Sequence, residues 1–128
     1  MVTHQGDLMD SILTSIKKLL GITEDYVQFD DDIIIHINTI ISMLTQVGVG
    51  SDLGFYITDK TAKWSDWLTD MTLLHPVKTY IHLRVRLIFD PPTNSAVTKS
   101  YEQTIKELEW RLFTAVDPPL VVEEVITP

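Results

Sequence analysis

The side chains best suited to metal binding or acid–base catalysis in this chain are its four histidines, His4, His36, His75 and His82. None of them stands in an H-E-x-x-H pattern, and no carboxylate joins His75 and His82 at ligand spacing. We therefore expect no metal site. A small hydrolase built on His36 or His82 with a nearby aspartate is a third interpretation, and it would need a pocket that the sequence does not reveal.

Two other motifs resemble ligand-binding sequences only in part. Asp30-Asp31-Asp32 lacks the alternating spacing and closing glutamate of a calcium loop, and it suits the start of a helix instead. Gly48-Val49-Gly50 is not followed by the Lys and Ser or Thr of a phosphate-binding loop. The chain has no cysteine and no Gly-x-Ser-x-Gly elbow. The residues thus predict a protein that is not an enzyme and that uses no cofactor.

Charge and length narrow the function further. The chain has 128 residues, ten basic and eighteen acidic, for a formal net charge of −8. This length suits one domain that folds without a disulfide or a metal. Such a protein lacks the basic surface that wraps nucleic acid, although an acidic wall could surround DNA and let it slide. The simpler interpretation is that the surplus carboxylates maintain solubility.

No apolar run approaches the ~20 residues of a membrane span, so no membrane partner is expected. The first nine residues lack the basic start and apolar stretch of a signal peptide, which favours the cytosol as the place of synthesis.

Helical spacing organises the first part of the chain. Residues 10–20 predict a helix that ends at Gly21, with Lys17 and Lys18 placed to complement its dipole. Residues 22–29 predict a loop anchored on the core by Tyr26 and Phe29. A second helix is expected over residues 30–47, and its further apolar positions predict burial on more than one side; they are Ile34, Ile35 and Met43.

The middle of the chain is less regular. Phe55-Tyr56-Ile57 could form a short strand within an extended loop over residues 54–63. Trp64, Trp67, Leu68 and Met71 fit a short helix. Core packing is favoured for its two tryptophans, with a partner surface as the alternative.

Residues 76–89 admit two interpretations. Alternation from Ile81 to Leu87 is typical of a half-buried strand, whereas a polar stripe repeats every four residues from Lys78 to Asp90, as on a helix. The length without a turn signal favours the helix, which Pro91-Pro92 must end. A last helix is predicted over residues 94–116, with a core face of Val97, Tyr101, Ile105, Leu108, Leu112 and Ala115.

Three features remain after the core is assigned. Arg84 points away from the polar stripe, so it either extends its charge to water or forms a fixed ion pair with Glu109 or a neighbouring chain. Trp110 and Phe113 lie opposite the core face of the last helix, which predicts a subunit interface, unless a loop or the tail covers them. The C-terminal tail carries apolar residues too few for a core, which could bind another protein or form a disordered end: Leu120, Val121, Val122, Val125 and Ile126.

Several segments together resemble the head–tail connector proteins of long-tailed bacteriophages, also called adaptor or head-completion proteins. The resemblance covers roughly residues 9 to 115 and is carried by Lys-Lys-Leu-Leu-Gly-Ile (17–22), the acidic start of the isoleucine-rich helix (30–47), Val-Lys-Thr-Tyr-Ile (77–81), Phe-Asp-Pro-Pro (89–92) and Ile-Lys-Glu-Leu-Glu-Trp-Arg-Leu (105–112).

This resemblance implies a small helical bundle that forms a homo-oligomeric ring of about twelve copies. It implies a place in the virion neck below the portal protein, with a neck or terminator protein on the tail side, DNA passing through the channel without sequence-specific binding, and assembly in the host cytoplasm. It also implies that the C-terminal segment reaches the portal or a neighbouring subunit. It supplies no catalytic residue.

We therefore predict an all-α bundle of four to five helices with a short extended loop or hairpin. Its organisation is a flexible leader over residues 1–8, a connector domain over residues 9–116 and an extended tail over residues 117–128. The predicted function is a structural one, a ring that joins capsid to tail. The alternative is a small acidic helical regulatory or adaptor module that acts as a monomer or dimer.

Overall fold

A computed structural model describes residues 8–50 and 53–116, and the regular secondary structure within them consists of helices. These residues contain no strand, which confirms the predicted all-α class. No helix among them combines the length and apolarity needed to cross a membrane. The elements are α1 (Ile12–Leu19), α2 (Asp30–Gln46), α3 (Leu74–Phe89) and α4 (Ser95–Val116), with two short 3-10 helices, Trp64–Asp66 and Met71–Leu73, ahead of α3.

The ends of the first two helices follow from local sequence. The Ser11 hydroxyl accepts a hydrogen bond from the Thr14 amide at 3.1 Å and caps α1. Gly21 follows α1 with a φ of 84°, a conformation that suits glycine. The three aspartates at the start of α2 lie in its first turn, where their charge stabilises the helix dipole, as the sequence predicts.

Helix α3 is the centre of the bundle and packs against α1, α2 and α4. Ile81, Leu83 and Val85 are all buried, although alternate positions of a helix face opposite sides. A helix with neighbours on both sides buries both faces, which explains why this segment shows the alternation of a strand. The predicted helix is confirmed.

The corner between α3 and α4 is built from Asp90, two prolines and Asn94. The Asp90 amide still donates to the Arg86 carbonyl at 2.9 Å, and the prolines then stop the helix. The Asn94 side chain caps the start of α4, since its Oδ1 accepts a hydrogen bond from the Ala96 amide at 2.8 Å. Helix α4 therefore returns along α3.

The segment between α2 and α3 is held by a side chain instead of the predicted strand. Asn38 of α2 donates to the Ile57 carbonyl at 2.9 Å and accepts from the Ile57 amide at 2.7 Å. These two bonds satisfy the backbone groups that a strand partner would have taken. Trp64 and Trp67 are fully buried, which confirms core packing, and they lie at and after a 3-10 helix instead of in the expected short α-helix.

Other expectations about burial are wrong where the chain projects beyond its neighbours. Tyr26 and Phe29 do not anchor the loop in the core; they are exposed and stack edge-on, and Phe29 continues onto Phe89 at 5.2 Å between ring centroids. Ile35 and Met43 are also exposed, so α2 is less enclosed than predicted. Val97 and Ala115, two predicted core positions near the ends of α4, are exposed, and so are the apolar residues at or next to the ends of the other helices, Leu19, Val47 and Ile88.

Candidate assembly surface

Helix α4 packs on the bundle by a narrow strip. Among its 22 residues Ile105 and Leu112 are buried, Tyr101, Leu108 and Val116 pack against the core while partly exposed, and its main packing partner is α3. A helix of this length normally buries an apolar stripe of three to four positions every two turns. Most of the surface of α4 therefore faces away from the protein's own core.

The outward surface of α4 carries one continuous line of exposed side chains. We call it the α4 outer stripe, and its members follow each other at spacings of four and three residues: Lys99, Gln103, Lys106, Trp110 and Phe113. Trp110 is 69% exposed and Phe113 is 38% exposed. The structure thus places both predicted interface aromatics on the protein surface. Large aromatics in solvent beside charged residues are typical of binding surfaces.

Arg84, the third predicted site residue in the described part, lies on α3 beside the edge of α4 that carries Lys99 and Lys106, and it lines one groove with them. Its guanidinium is 3.4 Å from the Glu109 carboxylate and donates to the Tyr80 hydroxyl at 3.1 Å. Tyr80 in turn donates to the same Glu109 oxygen at 2.9 Å. Of the two interpretations of Arg84, the ion pair within the chain matches the geometry. The Arg84 and Glu109 side chains are 28% and 31% exposed, so water screens the pair.

Tyr80 is the buried member of this cluster. Burial raises its pKa to about 12, and the hydrogen bond to Glu109 acts in the same direction. Ionising the phenol would leave a buried charge beside a carboxylate. The cluster therefore fixes the register of α4 on α3 through a neutral tyrosine.

A second exposed surface lies on the first half of the chain, and the sequence interpretation missed it. Residues 23–29 are exposed throughout, and the outer side of α2 continues the exposure. We call this the acidic loop surface and define it by Glu24, Asp25, Tyr26, Val27, Asp31, Asp32 and Ile35. A signal was present, because apolar residues stand among carboxylates in a segment without a helical pattern.

A buried ion pair holds this loop in place. The Lys17 ammonium group, which is buried, lies 2.9 Å from the Asp30 carboxylate and donates to the Glu24 carbonyl at 3.0 Å. Lys17 lies in the last turn of α1, as expected, and it also connects α1 to the loop and to α2. Its charge is used internally, so it does not neutralise the four outer carboxylates.

The described histidines are His36, His75 and His82. Within the described residues, no group of three or more His, Asp or Glu side chains is arranged to hold a metal ion. His82 accepts a hydrogen bond from Arg86 at 3.3 Å, and burial together with that guanidinium lowers its pKa. Arg86 also donates to the Leu19 carbonyl at 3.1 Å, which ties α3 to the end of α1. This contact is structural.

The remaining predicted interface residues lie outside the described part of the chain. They are Leu120, Val121, Val122, Val125 and Ile126.

The fold and its surfaces define a class of protein, a small all-α domain with exposed aromatic and charged faces of the kind used in assembly. The phage connector protein family matches residues 12–119. The chain belongs to this family. A search of curated proteins found no match, and a search of solved structures found none either.

Membership confirms the resemblance noted from the sequence and gives the chain a head–tail connector role in a bacteriophage. Such a role implies association with portal and tail proteins and a place at the neck of the virion. It is the role of a structural protein.

Proposed function

We propose that this chain forms a homo-oligomeric ring below the phage portal, which joins the capsid to the tail and lets DNA pass without sequence-specific binding. Residues 9–116 form the connector domain in this proposal, and residues 1–8 form a leader. The apolar residues of 117–128 reach the portal or a neighbouring copy. A neck or terminator protein binds on the tail side, and assembly takes place in the host cytoplasm without any catalytic step.

The observation that carries the proposal is the exposure of Trp110 on a helix with one main packing partner. Family membership makes the chain a connector, and a connector must bind other subunits. Covering the exposed part of an indole, on the order of 100–170 Å², contributes about 3 kcal/mol before the costs of association. Repeated at every contact around an axis, a gain of this size supports ring closure.

The net charge of −8 agrees with a channel that does not bind DNA tightly. A wall of carboxylates repels phosphates and releases no counterions on contact. DNA inside such a ring would experience a smooth repulsive lining instead of local binding sites.

The proposal is tested by mixing the purified chain with portal protein and imaging the particles by negative-stain electron microscopy. We expect a ring stacked on the portal with wild-type chain, and a yield reduced at least about tenfold with Trp110→Ala. The matched control is Tyr56→Ala, which removes another exposed aromatic ring away from α4. Circular dichroism should show unchanged helicity in both variants. Absence of any ring from wild-type mixtures, or full assembly by Trp110→Ala, would overturn the proposal.

A further inference from the structure

We propose that the C-terminal tail of the free subunit, residues 117–128, folds back and binds the groove between the start of α3 and the end of α4 of its own chain. This inference concerns the subunit before assembly, so it does not depend on the proposed ring. In the ring, the same tail would have to leave the groove before it could reach the portal or a neighbouring copy.

The groove lies beside the residue at which the described part of α4 ends. It has a volume of about 420 Å³, and its walls come from residues 72–79 and 108–115. Leu73 and Leu108 pack against the core and are still partly exposed in it. An apolar segment bound here would remove more of both side chains from water, which is favourable. The apolar lining consists of Leu73, Pro76, Leu108, Leu112 and Ala115.

A repeated corner motif lies at this end of the molecule. Asp90-Pro91-Pro92 follows α3, and Asp117-Pro118-Pro119 follows α4 with the same residue types in the same order. At the first corner the prolines end the helix and the chain reverses, so that α4 packs along α3. The same stop at the end of α4 allows the tail to return along α4, towards the groove.

The tail is long enough to follow the groove from end to end. Leu108 is the lining residue of α4 farthest from Val116, and it precedes Val116 by eight residues, or ~12 Å along the helix. An extended chain from Leu120 to Val125 spans ~16 Å. This stretch contains most of the apolar residues of the tail, namely Leu120, Val121, Val122 and Val125.

The groove and the tail carry opposite charges. The residues that line the groove include His75 and Arg111, both exposed, and no carboxylate. The tail carries Asp117, Glu123 and Glu124 and no basic residue. Charge complementarity of this kind favours one binding place over others on the same protein.

Two other grooves in the described part of the chain suit an acidic segment less well, because carboxylates line them. The groove that contains Arg84 also contains Glu102 and Glu109, and Arg84 is already paired with Glu109. The pocket beside the loop before α2 is lined by several carboxylates, those of Glu24, Asp25, Asp30, Asp31 and Asp59. Placing like charges together costs binding free energy, so the tail is directed to the groove next to Val116.

The test measures the proximity of tail and groove by cross-linking. The chain contains no cysteine, so two introduced thiols define a single pair. One variant carries Thr79→Cys in the groove and Val125→Cys in the tail, and the matched control carries Gln103→Cys with Val125→Cys. Both helix positions are exposed. Gln103 lies about 20 Å from Val116 along α4, and nine extended residues span about 30 Å, so an undocked tail reaches it as well.

A short bismaleimide is added at low protein concentration, and gel electrophoresis with intact-mass measurement separates cross-linked monomers from dimers. We expect the Thr79 pair to form the monomeric cross-link at least about tenfold faster than the Gln103 pair, because docking raises the local concentration of the two thiols. Adding Arg111→Glu to the Thr79 pair should remove most of this difference. Lys99→Glu makes the same charge change at an exposed position outside the groove and should preserve it. Circular dichroism should show unchanged helicity in every variant.

Several results would overturn the inference. Equal rates in the two pairs would show a tail without a fixed place, and an Arg111→Glu variant that reacts as fast as Lys99→Glu would refute the charge pairing. Faster reaction at Gln103 would place the tail in the other groove, and dimeric products would place it on a second copy. None of these measurements involves portal protein, so their failure leaves the proposed ring to its own test, and the converse also holds.

Discussion

Replacing Tyr80 by Phe removes one oxygen atom from the contact between α3 and α4. The hydroxyl donates to Glu109 at 2.9 Å and accepts from Arg84 at 3.1 Å, while its ring is buried. Phe fills the same space, so the change tests the polar contact without creating a cavity. At pH 8 we expect Tyr80→Phe to lower the free energy of unfolding by about 1 to 2 kcal/mol, since a hydrogen bond to a charged group contributes roughly that much.

The pH dependence gives a sharper test of the same contact. The pKa of Tyr80 is raised to about 12 in the folded protein, against about 10 for an unfolded tyrosine. A raised pKa means that the stabilisation is complete below pH 10 and is lost as pH rises toward 12. At pH 11 the wild-type chain should have lost about 1.4 kcal/mol through this residue. Phe does not ionise, so the advantage of wild type over Tyr80→Phe should largely disappear there.

The assay is urea denaturation of both proteins at pH 8 and pH 11, followed by circular dichroism. Tyr56→Phe is the control, because it removes a hydroxyl from an exposed tyrosine and should change stability at neither pH. A difference between wild type and Tyr80→Phe that is the same at both pH values would refute the reasoning about burial and Glu109.

Three further changes test other contacts, each by urea or thermal denaturation. Asn38→Ala should lower the free energy of unfolding by about 2 to 3 kcal/mol, because it leaves two backbone groups of the central loop unpaired. Thr39→Ala, at the exposed neighbouring position, should change it by no more than about 0.5 kcal/mol. Equal effects of the two substitutions would contradict the role of the Asn38 side chain. Gly50→Ala should lower the free energy of unfolding by at least about 2 kcal/mol, because the backbone has a φ of 86° there and the added methyl group meets the buried indole of Trp67. A variant as stable as wild type would show that the loop adjusts freely. Lys17→Met should lower the free energy of unfolding by about 3 kcal/mol, because it leaves the Asp30 carboxylate without its partner. Lys18→Met, at an exposed position, should leave stability nearly unchanged. An unchanged stability of Lys17→Met would show that water replaces the ion pair.

The sequence predicted the helices well because their signals are local. Apolar spacing, the aspartates that open α2 and the Pro91-Pro92 stop each act within a few residues, so they can be recognised without tertiary contacts. The central helix was harder, because burial on both sides of α3 imitates the alternation of a strand. The length of this segment without a turn signal favoured a helix over a strand, and the structure confirms the helix.

The sequence could not show contacts between distant residues. Nothing in the spacing of Lys17 identifies Asp30 as its partner, and nothing in Asn38 indicates that it would bind the backbone of Ile57. The candidate surface was predicted in part. Trp110 and Phe113 stood out because they break the pattern of a helix, whereas the acidic loop surface has no periodic pattern to break and required the fold to bring it together.

Helix α4 buries fewer residues than α3, and this difference has a consequence for the motions of the free subunit. With only Ile105 and Leu112 buried, α4 needs less free energy to detach than α3, which buries six residues and packs against three helices. Its amide hydrogens should exchange with deuterium earlier than those of α3 when the subunit is alone. Incorporation of the subunit into a larger particle would slow that exchange. The deuterium exchange rate of the α4 amides therefore reports whether a subunit is free or assembled.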